Sequence, residues 1–326
     1  FTAPDSPRTP STEPVRGYIF FNTARRLSKQ NDYEPVAVLM DMRGRIVREW
    51  SIAGLPCRML PDGSVLGDSR KRIYFPFRDA VEMVQLGWGG KVSWRFRAWQ
   101  DVVPTFRMEE PEEWDPGRDG PGFPGLMAAR QHHDLQREGN PVGYYAPGQE
   151  AKSQGNTLML AYFTHNVQLQ GQEWRMLDDA IYEVDKDGKR LKFKWVAGDH
   201  LEELLGVEEQ RDLADSTTMN SLLINSMSRL GKNKWFLANG DRRFHPKNIL
   251  IGSRNGNFIA IIDHQTGKVV WRLGPDMSTG KPGAKLGQII GQHHPHMIPY
   301  GLPGGGNIMV FDNGGQSGFG GPKGYP

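Results

Sequence analysis

The chain has 326 residues, with 40 Lys and Arg against 37 Asp and Glu, a net charge of +3. A balance so near neutral argues against nucleic acid as a partner, and no run of about 18 apolar residues exists to span a membrane as a helix. Hydrophobic residues at 37% and charged residues at 24% indicate a folded domain rather than a disordered tail, and 40 Gly with 23 Pro suit many turns between short strands.

Cys57 is the one cysteine in the sequence. An intrachain disulfide and a cysteine metal cluster are therefore excluded, while a reducing compartment and a cysteine-poor periplasm fit equally well. The chain opens on Phe1 rather than Met, which removal of a secretory signal would explain. Residues 1–16, rich in Pro, Ser and Thr, read as an extended tail, and residues 17–326 as the folded domain.

From residue 37 onward one pattern recurs: an apolar strand, a polar turn with Gly, then an alternating strand ending in Trp. The copies run from Ala37 to Trp50, Ala80 to Trp94, Ala180 to Trp195 and Phe258 to Trp271. Each alternates as a half-buried strand requires, with Gly where a hairpin turn wants positive φ. A second element precedes these units, read as strand, turn and strand from Cys57, Asn156, Lys247 and His294. Joined in pairs they give four-stranded sheets of about 40–50 residues, the size of a propeller blade. The spacing predicts an all-β protein, a β-propeller, with a β-sandwich as the plainer alternative.

Two stretches break the rhythm. Residues 101–130 are acidic and rich in Pro and Gly, an insertion read as a long loop. Residues 199–214 place Leu201, Leu204, Leu205 and Leu213 among acids, which predicts a short helical insertion. The last unit stops after two strands, near Gly315, so its partners come from the N-terminal strands, a missing C-terminal segment or a second chain.

Histidine carries the chemical signal. Five of the nine histidines lie in two clusters, Gln131-His132-His133-Asp134 and Gln292-His293-His294-Pro295-His296. Each cluster opens a predicted blade, and the ends of innermost strands surround a propeller's axis. Imidazoles gathered there suit a nucleophile, an acid–base pair or a metal site. Arg254, in an otherwise apolar strand pair, is either an outward-facing turn residue or a planar cation aimed at an oxyanion. Asn225 and Ser226 open the same unit and offer neutral donors. His165, His200 and His264 read as structural or exposed, and His245 as a loop residue. No phosphate-binding glycine loop or His-Glu-x-x-His helix is present.

The run from Asn248 to Asp276, followed by Gln292 to Gly315, resembles the bacterial arylsulfate sulfotransferase family. Gln131 to Tyr145 and Leu222 to Gly231 follow the order of that family's other signatures, so the likeness covers most of residues 35 to 320. The resemblance implies a six-bladed propeller, exported to the periplasm or secreted, with an axial site. It implies sulfuryl transfer from an aryl sulfate to a phenol through a sulfurylated histidine, with small aromatic substrates and no nucleotide donor or other cofactor.

Carried over by motif, the nucleophile is His293, with His294 or His296 in its place if the alignment slips. Arg254 becomes the oxyanion-binding cation and His133 a supporting imidazole. His132, Asn225, His294, His296 and Asn313, the last from Phe311-Asp312-Asn313-Gly314, become substrate-binding residues. One departure stands out: where the family often reads His-Ile-Asn-Ser, this chain reads Leu223-Ile224-Asn225-Ser226. Leu223 neither donates a hydrogen bond nor shuttles a proton, so one expected sulfate contact is missing. Two alternatives therefore stand: a copper or zinc enzyme with His132, His133, His293, His294 and His296 as ligands, and a non-catalytic propeller scaffold.

Overall fold

The structure is a computed structural model that describes residues 17–26, 33–71, 80–96, 100–101, 127–169, 171–214, 222–277, 280 and 283–314. The N-terminal tail and nearly all of the acidic insertion of 101–130 lie outside these residues.

The described chain is all-β, built from consecutive antiparallel sheets. Strands β1 (Tyr18–Arg26), β2 (Tyr33–Asp41) and β3 (Ile46–Trp50) form a three-stranded sheet. Strands β4 (Ala53–Met59), β5 (Val65–Lys71), β6 (Ala80–Leu86) and β7 (Val92–Phe96) form a sheet of four in sequence order. The short β8 (Gln100–Asp101) pairs with β9 (Met127–Ala128). Two further four-stranded sheets follow. One comprises β10 (Gln131–Arg137), β11 (Thr157–Leu169), β12 (Gln172–Val184) and β13 (Leu191–Val196). The other comprises β14 (Ile224–Arg229), β15 (Ile249–Ser253), β16 (Phe258–Ile262) and β17 (Val269–Leu273). Last come β18 (His293–Met297) and β19 (Ile308–Phe311), a pair on their own.

This is a propeller arrangement, but not the six blades that the resemblance implies. Among the described residues, four sheets of three or four strands serve as blades, and β18–β19 supply two strands more. The N-terminal strands pair with one another rather than with β19.

All four Trp-ended hairpins form as the alternation requires, and their turn glycines Gly44, Gly90, Gly188 and Gly267 have φ between 70° and 84°. The recurring Trp has a physical reason that the repeat alone does not reveal. Trp50 Nε1 donates to Gly87 O at 3.1 Å, and Trp195 Nε1 donates to Gly267 O at 2.9 Å. Each indole thus reaches the hairpin turn of the following blade. Trp94 also lies beside the following turn at Gly188, where an added Cβ would collide with the carbonyl of Arg95, but its Nε1 makes no such hydrogen bond among the described residues. The Trp closes one blade onto the next, a role that leaves little room for another residue.

The second repeated element differs from expectation in two copies. Thr157 to Asn166 lies on the single long strand β11, and Lys247 to Asn257 holds β15 with its flanking residues and turn. Their preceding partners are β10 and β14, which contain the histidine cluster and Asn225. Residues 199–214 hold two short helices, α1 (Leu201–Leu204) and α2 (Val207–Ala214), broken at Gly206. Leu201, Leu204, Leu205 and Leu213 are all buried in the core shared by the blades of β10–β13 and β14–β17. The helix α3 (Lys234–Asn239) was not expected; Asn233 caps it by accepting from Phe236 N at 3.1 Å.

Candidate functional site

The strands β4, β10, β14 and β18 each open their sheet and pack against one another in that order. Each also carries a bulge near its start: between Ala53 and Arg58, Gln131 and Leu135, Ile224 and Ser226, and His293 and His296. A bulge re-aims side chains and ends regular pairing, and such features gather beside functional sites. Both histidine clusters and Asn225 fall on these bulges. His133 and His294 even occupy the left-handed region, with φ of 50° and 51°, an uncommon conformation for residues other than glycine.

Polar contacts lock the strand starts together. Asp134 Oδ1 accepts from Arg58 Nη2 at 3.0 Å, and its Oδ2 accepts from Met227 N at 3.1 Å. Arg58 Nε also donates to Leu135 O at 2.6 Å. One carboxylate therefore joins β4, β10 and β14. Gln136 Oε1 accepts from Arg229 N at 3.0 Å, so β10 and β14 run side by side in the same direction. Asn225 Nδ2 donates to Gln292 O at 2.9 Å, tying β14 to the start of β18. The two clusters accordingly stand at one end of the inner strands.

Gln292 does the same for Arg254. Its Nε2 donates to Ser253 O at 2.8 Å and Phe258 O at 2.7 Å, the two residues that bound the turn carrying Arg254. Gly291 N donates to Asn257 Oδ1 at 2.9 Å from the same turn. Gly252, one residue before Ser253, lies so close to Pro295 that a Cβ would sit 2.6 Å from its ring. The half-buried Arg254 keeps Nη1 on Asn255 Oδ1 at 3.2 Å, and its backbone N donates to Leu223 O at 2.9 Å. Leu223 itself holds φ of 47° beside it.

The imidazoles divide by environment. His293 is half-buried, with Nδ1 3.2 Å from Gly291 O and 2.8 Å from Asn313 Nδ2. Asn313 Nδ2 also donates to Gly291 O at 2.6 Å. His294 reaches solvent, yet desolvation by the packed strand starts holds its pKa below the ordinary imidazole value; Asp134 opposes this, and His296 and Arg58 reinforce it. His296 is buried, with Nδ1 donating to His294 O at 2.9 Å, which leaves Nε2 to accept from Tyr144 Oη at 2.9 Å. His132 is only 2% exposed and stacks on Tyr162 at 4.0 Å, so it stands behind His133 rather than at the surface. Asn225, 5% exposed, is committed to Gln292.

Of the remaining histidines, His165 lies 2.8 Å from the buried Asp178, His200 pairs with Glu203 at 3.0 Å, and His245 stacks on His264 at 4.6 Å. Among the described residues, no three of His, Cys, Asp and Glu are grouped as a metal would require. Residues that the sequence did not single out are Arg58, Tyr144, Tyr162 and Asp179. Asp178-Asp179 interrupts the apolar run from Met176 to Tyr182, but nothing local in the sequence names the partner of Asp179.

An all-β propeller arrangement with imidazoles, a guanidinium and amides at one end of its inner strands is the class defined by fold and site. The arylsulfotransferase (ASST) family model matches residues 149–324, more than half of the chain, and the chain belongs to this family. Arg254, Asn225, His293 and Asn313 fall within the matched segment, whereas His132 and His133 precede it. No curated protein matches the chain.

Among solved structures, the chain is similar to a protein of unknown function from Bacteroides caccae, at 12% identity over 86% of this chain and 64% of that one, with a TM-score of 0.35. It is also similar to hydrazine synthase of Kuenenia stuttgartiensis, at 11% identity over 85% and 65%, with a TM-score of 0.38. A third is the β-propeller domain of Cps50 (Swd1) of Myceliophteria thermophila, at 9% identity over 80% and 90%, with a TM-score of 0.19. The chain spans just under two thirds of the length of the first two. Among the described residues no helix is long and apolar enough to cross a membrane.

Proposed function

We propose that the protein transfers a sulfuryl group from an aryl sulfate ester to a phenolic acceptor through a sulfurylated His293, without a nucleotide donor and outside the cytoplasm. The observation that carries this reading is the staple made by Gln292. It sets the turn bearing Arg254 beside the strand start bearing His293, although the two are far apart in sequence.

In the productive tautomer His293 Nδ1 carries the proton toward Gly291 O, which requires Asn313 to present its Oδ1 rather than its Nδ2 to that nitrogen, so that Nε2 offers its lone pair to sulfur. The nitrogen–sulfur bond forms as the bond from sulfur to the aryl oxygen breaks, and the electron pair leaves on the phenolate. Charge grows on that leaving oxygen while the sulfuryl oxygens need fixed donors, which Arg254 supplies through paired N–H groups. An acceptor phenol then attacks the sulfurylated imidazole, loses its proton and restores His293. Two half-reactions through one covalent intermediate give ping-pong kinetics. The test is incubation with a chromogenic aryl sulfate and a second phenol, with no nucleotide present. Formation of the second aryl sulfate supports the proposal, and a requirement for a nucleotide sulfate donor overturns it.

A further inference from the structure

His132 Nδ1 and His133 Nδ1 lie 2.9 Å apart, so one carries a proton and the other accepts it. On the far side of the ring, His132 Nε2 lies 3.3 Å from Asp179 Oδ1, an electrostatic contact rather than an aligned hydrogen bond. Asp179 is fully buried, and its other oxygen, Oδ2, accepts from Ile224 N at 2.9 Å. The ring between them is held in plane by its stack on Tyr162, at 4.0 Å and 21°. The Arg130 guanidinium stands over the same tyrosine ring, 5.9 Å from its centre.

The buried carboxylate favours one placement of the protons. A carboxylate oxygen facing His132 Nε2 favours an N–H there, so His132 Nδ1 has the lone pair. His133 Nδ1 must then carry the proton it donates to His132. The remaining nitrogen, His133 Nε2, is the acceptor. A carboxylate acting through one imidazole thus sets the tautomer of a second, the same ordering of a base by a third group that general-base catalysis uses.

We infer that Asp179 and His132 are positioning residues that hold His133 as the general base toward the acceptor phenol. This rests on the sulfuryl-transfer reading above. In the second half-reaction, the phenol O–H gives its proton to His133 Nε2 as the phenol oxygen bonds to sulfur and the sulfur–nitrogen bond to His293 breaks. The imidazolium so formed donates from Nδ1 to His132, whose Nε2–H faces the Asp179 carboxylate. His133 returns the proton to solvent before the next cycle.

The Asp179→Asn variant gives a sharp test because Ile224 N–H orients the new amide. The remaining oxygen takes the place of Oδ2, and the amide nitrogen faces His132 Nε2. That nitrogen must then accept, which moves the His132 proton to Nδ1 and the His133 proton to Nε2. Proton–nitrogen correlation spectra of histidine-labelled protein, assigned through single His→Gln variants, read both tautomers directly. The wild type is expected to show His132 protonated on Nε2 and His133 on Nδ1, with both exchanged in Asp179→Asn. Transfer from the sulfurylated enzyme to a phenol is expected to fall about 100-fold in the variant, the scale of a lost general base, while sulfurylation by an activated aryl sulfate persists. A wild-type His133 protonated on Nε2 overturns the inference even if the variant fails to fold, and so does a folded variant with unchanged tautomers. If neither protein becomes sulfurylated while the tautomers are as expected, the sulfuryl-transfer reading fails and the ordered pair stands.

Discussion

Arg58 and Asp134 form an ion pair at 3.0 Å between the first strands of neighbouring blades, and the second oxygen of Asp134 takes the N–H of Met227 from a third strand. The carboxylate is 5% exposed and the guanidinium side chain 21%. Removing one member of such a pair leaves the other charge desolvated and a backbone donor unmet. Asp134→Ala is therefore expected to destabilise the protein by about 3 kcal/mol, measured by denaturant unfolding, and to loosen the histidine face. A loss within the error of the measurement would show that the strand starts are held by packing alone.

The Trp staples give a paired prediction. Trp195→Phe keeps the apolar ring but strands Gly267 O, at a cost of about 1–2 kcal/mol. Trp271 ends the last hairpin, is only half-buried, and among the described residues donates to no following turn. Trp271→Phe should cost clearly less. Equal costs in unfolding experiments would contradict the blade-to-blade role of the indole N–H.

Burial lowers the pKa of His294 in the folded protein. Above the ordinary imidazole pKa of about 6.5, the ring is neutral in both states and its contribution is complete. As pH falls, the unfolded chain takes the proton first, so stability is lost until the lowered folded pKa is passed. His294→Asn tolerates the left-handed backbone at this position and should remove that part of the pH slope. Parallel pH–stability curves for the two proteins would refute the assignment.

Arg254→Lys keeps the charge but loses the two-pronged geometry. Turnover of an aryl sulfate is expected to drop by the equivalent of about 2–4 kcal/mol in the barrier, with the unfolding midpoint unchanged. Wild-type turnover in this variant would remove Arg254 from the oxyanion contact.

The sequence made the blades legible because each hairpin writes its own signature: alternation, a turn glycine and a terminal Trp. It also exposed the histidine clusters, since His-His at a strand start is locally conspicuous. The number of blades was not legible, because it depends on how sheets close around an axis rather than on any one hairpin. Arg58 and Asp179 were missed for a related reason. Arg58 meets Asp134 on another blade and Asp179 meets His132 two strands away in its own sheet, and no local pattern marks such a pairing. The register breaks that carry His133 and His294 likewise appear only when two strands are paired.

The most direct test of the central claim is the mass of the peptide containing His293 after a brief incubation with an aryl sulfate and no acceptor. The account predicts one added sulfuryl group on His293 in the wild type, lost on adding a phenol, and neither labelling nor turnover in His293→Ala. Normal turnover by His293→Ala, or a sulfuryl group found on another residue, would contradict it.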